Sequence, residues 1–200
     1  ISDAFDQSNS GESLVNMMDL DLIVGSGGVL SHAPRREQSA KMIIDSFMPE
    51  GITQLAVDSI FMMPQLGVLA NISKKELGEE ARNAALEVFH KDCLIRLGTC
   101  ITPIGKVKNK SIVMRIKLTF PSGEKVEKEL RKNELYRIKA DYEEIIAELI
   151  PHKKMDIGSG IGEPIKTTIY GGIVGIILDG RERPISIPNN SQERLSNLKS

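Results

Sequence analysis

The stretch of this chain best placed to do chemistry carries no reactive side chain. Gly25-Ser26-Gly27-Gly28 follows the short apolar run Leu22-Ile23-Val24 and precedes a segment with helical periodicity. Glycine removes side chains where backbone must approach a ligand closely, and a helix start offers free N–H groups to an anion. The spacing excludes two common nucleotide loops. No Lys-Ser/Thr follows the glycines, as a Walker A loop requires. The run GSGGVL lacks the third glycine of a dinucleotide fingerprint, and no acidic residue closes a second strand about twenty residues on. His32, His90 and His152 lie too far apart for any short metal spacing. No catalytic set and no metal site is therefore assigned. Cys93 and Cys100 have only Lys91 and Arg96 as nearby cations, so they read as reduced thiols packed in a core.

The elements that must position the turn follow from periodicity. Ala40, Ile43, Ile44 and Phe47 recur at helical spacing, which predicts a helix from Arg35 to Phe47, stopped by Pro49-Glu50-Gly51. Leu55-Ala56-Val57 predicts a second buried strand. Asp58 and Ser59 are candidate caps for a helix from Ile60 to about Ala70, with Pro64 in its first turns. Lys74 to Phe89 predicts another helix, with Leu77, Ala81, Ala84, Ala85 and Val88 on one face. From Cys93 the period changes to two. Strands are expected over Cys93–Ile104, Ser111–Phe120 and Lys125–Leu130, the last two joined as a hairpin by Pro121-Ser122-Gly123-Glu124. Asp141 is expected to cap a short helix bearing Tyr142, Ile145, Ile146 and Leu149, closed by Pro151. Thr167–Leu178 and Pro184–Ile187 read as two more strands.

A closer likeness attaches to these residues. Leu22 to Pro34, with the strand, the glycines, Ser31 and Pro34 in order, resembles the adenosine motif of the actin/Hsp70/sugar-kinase superfamily. Leu55-Ala56-Val57-Asp58 resembles the strand and helix-capping Asp that follow it there. Four blocks are similar to the glutamate mutase accessory (reactivating) proteins. They are Ile23–Arg36, Ala56–Leu69, Lys91–Ile101 and Tyr170–Arg181. That family is also called MutL, a name it shares by accident with a mismatch-repair protein.

The resemblance implies an actin-like ATPase that acts as a chaperone for an adenosylcobalamin-dependent mutase, glutamate mutase or a related aminomutase. It implies ATP/ADP with Mg as cofactor. The phosphate-gripping loop and the Mg ligands are expected in an N-terminal half upstream of Ile1, so the 200 residues alone are expected to be inactive. Nucleotide-binding residues carried over from the motif are Gly25, Ser26, Gly27, Gly28, Val29, Ser31, His32 and Arg35. Asp156-Ile157-Gly158-Ser159-Gly160 is a lookalike of the phosphate loop, but the polar His152-Lys153-Lys154 before it cannot be that loop's buried strand. Partners implied are the mutase and the chain's own N-terminal half, with a homo-oligomer as an option. Two other readings stay open: a non-enzymatic interaction domain with a vestigial nucleotide loop, and a fragment of a small-molecule kinase of the same superfamily.

Composition bounds the rest. The 200 residues carry 26 Lys and Arg against 27 Asp and Glu, so no global field attracts nucleic acid or an anionic membrane. The apolar run near Ile173–Leu178 is far below the roughly 18 residues of a membrane span. Acidic, polar opening residues fit neither a signal nor a transit peptide, and a cytoplasmic location is expected. Arg35 and Arg36 begin a helix, where the macrodipole disfavours cations; they are either solvated or face an anionic partner. Lys106, Lys108 and Lys110 read as a solvated face or a lysine-guarded strand edge. The methionines read as core filler in a chain with no Trp. The fold class is α/β to α+β: the C-terminal part of an actin-like (ribonuclease H-like) ATPase lobe, then a strand-rich family-specific region. The expected divisions are a flexible leader 1–18, an adenosine-side part 19–90, a strand-rich part 91–188 and a disordered tail 189–200.

Overall fold

A computed structural model of the chain describes residues 15–185. A 3-10 turn at Met17–Asp19 leads into strand β1, Leu22–Gly25. Two helices follow, the single-turn α1 (Gly28–Ser31) and α2 (Arg36–Phe47), before strand β2, Gly51–Asp58. β1 and β2 pair in parallel, with Gly25 opposite Val57, so this is a strand–helix–strand unit. Helices α3 (Met63–Glu76) and α4 (Glu79–Val88) come next, then a π turn at Phe89–Cys93 and strand β3, Leu94–Thr102. The remaining strands are β4 (Ile104–Gly105), β5 (Ile112–Thr119), β6 (Lys125–Arg131) and β7 (Leu135–Ile138). They are followed by β8 (Glu144–Pro151), β9 (Met155–Asp156), β10 (Ile165–Tyr170) and β11 (Gly175–Asp179).

Two main sheets, a two-stranded β4-β9 ladder and a helix layer result. The first sheet has the order β1-β2-β3-β11-β7 and the second β10-β8-β5-β6. On one face of the first sheet, Ala40, Ile43 and Ile44 of α2 pack with Ile23, Leu55, Val57, Leu97 and Ile177. On its other face Ile101, Ile138, Ile176 and Leu178 meet Met114, Ile116, Leu118, Ile145, Leu149 and Ile169 of the second sheet. Each fully buried Ile or Leu contributes roughly 1.5–3 kcal/mol. Strands on both sides of residue 90 therefore build one sheet.

The helix ends explain themselves. α2 stops at Met48, which takes a left-handed φ of 48° and donates its N–H to the Ile44 carbonyl. The β5–β6 hairpin forms as its alternation predicts, with Met114, Ile116 and Leu118 inward. Arg115–Glu129, Lys117–Glu127 and Lys166–Glu148 pair on the outward face of that sheet.

Several expectations need correction. The segment after Asp141 is not a helix but β8, with Ile145, Ala147, Leu149 and Pro151 buried and Ile146 and Ile150 exposed. Ile145 and Leu149 are in register for either period, and the flanking strands β5 and β10 select the extended form. Thr167–Leu178 is two strands in two different sheets, divided at Gly171-Gly172. A Cβ at Gly172 would stand 2.5 Å from the Leu97 carbonyl carbon, so only glycine passes there. The helix expected from Ile60 starts at Met63 and runs to Glu76, and the one expected from Lys74 to Phe89 breaks before Gly78. Of the residues expected to share one helix face, Leu77 and Val88 are exposed and Ala85 is buried. Lys106, Lys108 and Lys110 follow β4 in a loop rather than lining a strand. Pro184 lies outside any strand, and Ser186–Ile187, the tail 189–200 and most of the leader lie outside the described residues.

Candidate functional site

β1 and β2 end side by side, and the glycine turn sits on those ends. In open α/β sheets this is where ligands bind, at the carboxyl ends of parallel strands. The turn is organised by Asp58, the last residue of β2, which is fully buried. Its Oδ1 accepts the Met62 N–H at 3.2 Å and its Oδ2 accepts the Met63 N–H at 3.0 Å, capping α3. Ser26 Oγ donates to Oδ2 at 3.4 Å. Buried Ser31 donates its hydroxyl to the Asp58 carbonyl at 2.6 Å and so ties the end of α1 to the end of β2. Ser39 Oγ donates to the Leu30 carbonyl at 2.7 Å, anchoring α2 beneath.

The four turn residues divide by what surrounds them. A Cβ on Gly25 would stand 2.6 Å from Leu30 Cδ1 and 3.0 Å from Ile43 Cδ1, so a side chain here would push both of them aside and packing favours glycine. Gly27 has a φ of 108°, which favours glycine whatever the space. At Gly28 neither reason holds. Its φ is ordinary, and a Cβ would meet nothing within 4 Å. Val29 beside it is 75% exposed. The open side of the turn is thus backbone and one apolar side chain.

The remaining sequence-derived positions spread outward. The His32 ring lies 5.6 Å, centroid to centroid, from the ring of Phe61. Phe61 holds a φ of 60°, a left-handed conformation that costs a residue with a Cβ roughly 1–2 kcal/mol. Sequence reasoning passed over Phe61, because nothing in residue type announces a strained loop. Arg35 is exposed and tied only to its own helix, its N–H donating to Gln38 Oε1. Arg36 is the arginine joined to the turn. Its guanidinium donates to the Ser31 carbonyl at 2.9 Å, at the C-terminal end of α1. One cation thus sits at the start of α2 because it caps the helix before it, a use that neither solvation nor an external anion described.

Asp156 does not offer a second phosphate loop. Its Oδ1 accepts the Gly158 and Gly160 N–H groups at 2.8 and 3.1 Å, so the chain's own carboxylate fills the place of an anion. Cys93 and Cys100 are buried as expected. Burial, and then the charge of Asp179, pushes the Cys100 thiol up to about 12, which removes it from nucleophilic work. Among the described residues no helix is long and apolar enough to cross a membrane.

The protein is thus a layered α/β structure with a glycine turn held by a buried aspartate at the ends of two parallel strands. The model of the MutL protein family matches residues 7–92, a stretch over which the chain is similar to that family. The match covers the glycine turn, Asp58 and both helices α3 and α4. No curated protein and no solved structure matches the chain.

Proposed function

We propose that Gly25–Met63 form the adenosine side of a nucleotide site in an ATP-dependent accessory protein that reactivates an adenosylcobalamin-dependent mutase. The observation that carries this reading is Gly28, where a side chain is missing though neither conformation nor packing forbids one. A glycine that the fold does not need fits a backbone that a ligand must approach. Val29 and the His32–Phe61 pair add apolar surface beside the turn, suited to a planar base. Gly27 and Gly28 would admit the nucleotide, while Ser26 and Ser31 are spent on holding the turn to Asp58. ATP would bring Mg with it, on ligands outside these residues, so the chain alone binds without hydrolysing. The mutase is the expected partner, together with the N-terminal half of the same accessory protein.

Calorimetric titration of the intact accessory protein with ADP tests this. Saturable binding in the wild type, abolished in Gly28→Val at unchanged melting temperature, is expected. Equal binding by both would sink the assignment of the turn. The competing reading, an interaction domain with a vestigial loop, is favoured by Gly25, whose role is packing alone. It predicts no ADP binding by either protein.

A further inference from the structure

The opposite end of the same sheet holds a cavity of about 310 Å³ between the β3–β4 connection and the residues after β11. Lys106, Lys132, Arg181 and Arg183 line it, and Glu182 is the one carboxylate among its lining residues. The charges behind the wall are unevenly shared. Buried Asp179 accepts Arg181 Nε and Nη2, each at 2.9 Å, and Arg183 Nη2 at 2.9 Å. Asp45 takes the remaining Arg181 Nη1, and Glu182 takes Lys132 at 2.7 Å. Glu50 is the remaining acid near Arg183; burial raises its pKa and the Arg183 charge lowers it only in part.

Two donors are left over. Lys106 is exposed and meets no carboxylate among the described residues. The Nε of Arg183 is buried, on a side chain only 5% exposed, and has no hydrogen-bond acceptor. A buried guanidinium N–H without a partner is costly and calls for an acceptor.

We propose that this cavity binds the phosphate group of a small molecule through Lys106, Lys132 and Arg183. Two ammonium groups and one N–H from separate elements suit a tetrahedral group with several oxygens. The arginine fork that would take a planar carboxylate is already closed on Asp179. The volume lies at the lower end of small-ligand sites, which span about 300–1,000 Å³, and so suits a small phosphorylated molecule. This site is separate from the glycine turn and does not depend on the function proposed for it.

Titrating the full chain with inorganic phosphate, at ionic strength held constant with chloride, tests the proposal. Saturable millimolar binding is expected, with acetate binding more weakly. Lys106→Glu, an exposed change that leaves the fold intact, should weaken phosphate binding by about tenfold or more. Lys41→Glu, on the exposed side of α2, should leave it unchanged. Absence of saturable binding, equal affinity for acetate, or equal effects of the two charge reversals would each overturn the site.

Discussion

The two ends of the central sheet each bury an aspartate completely, at Asp58 and at Asp179, and each uses it differently. Asp58 is surrounded by backbone N–H groups and a serine hydroxyl, all neutral. Asp179 is surrounded by two guanidinium groups. The first arrangement fixes the direction of backbone and leaves the turn above it open. The second locks charged side chains together and holds the chain after β11 against α2 and β2, through Asp45 and the Pro49 carbonyl. Neutral donors orient without adding charge; paired ions bind firmly but leave whatever charge is not matched. A glycine turn needs the former, and an oxyanion cavity is a natural by-product of the latter.

The contrast breaks first, and most heavily, at Asp179. Asp179→Ala would strand the buried Arg183 charge and leave half-buried Arg181 with Asp45 alone; it should cost about 3–5 kcal/mol, read from urea unfolding. A loss below about 1 kcal/mol would mean that the ion network contributes no more than surface pairs do. Asp58→Ala removes the acceptor of the two part-buried N–H groups that start α3 but strands no charge. Its expected cost is smaller, about 1–3 kcal/mol, together with weakened ADP binding.

Acid separates the two ends in another way. Burial alone would raise the Asp179 pKa, but hydrogen bonds from Arg181 and the charges of Arg183 and Arg181 hold it below the ordinary aspartate range. A carboxylate with a depressed folded pKa stabilises the protein above its unfolded pKa. That contribution fades as pH falls from there through the folded value. Stability of the wild type should therefore drop between about pH 4 and lower values, and Asp179→Asn should flatten that part of the curve. An unchanged slope in the variant would remove Asp179 from acid unfolding.

Gly28→Ala should show the smallest stability effect, a gain of up to about 0.5–1 kcal/mol from reduced freedom of the unfolded chain. Gly25→Ala, three positions earlier, should lose about 1–3 kcal/mol because its Cβ would strike Leu30 and Ile43. If both glycines responded alike in thermal melts, the distinction between a packed glycine and one in open space would fall.

What could be read beforehand was the local part of this architecture. The strand–glycine–helix unit, the α2 boundary and the β5–β6 hairpin are written in contiguous patterns, and Asp58 was legible as a helix cap. Elements fixed by distant partners were not. β7 is four residues, Leu135–Ile138, and exists as a strand because β11 lies beside it. β8 carries apolar residues at both helical and strand spacing, and only β5 and β10 decide between them. At the site, Phe61 and the capping role of Arg36 escaped for the same reason. Capping across two helices and a left-handed loop residue are consequences of three-dimensional closure rather than of residue type.

The position of β11 also sets an order of assembly. It lies between β3 and β7 in the first sheet, yet it comes from residues 175–179, after every other strand has been made. During synthesis β1, β2 and β3 can pair, and the β5–β6 hairpin can close, while the sheet stays split with β7 unattached. Closing it joins Gly175 to Gly98 across a long loop, a slow step for a growing chain. Nascent chains halted before Gly175 should therefore be cut readily by protease near β7, and chains extended past Asp179 should resist. Until that last strand arrives, the cavity after β11 has no wall, whereas the glycine turn already rests on its finished pair of strands.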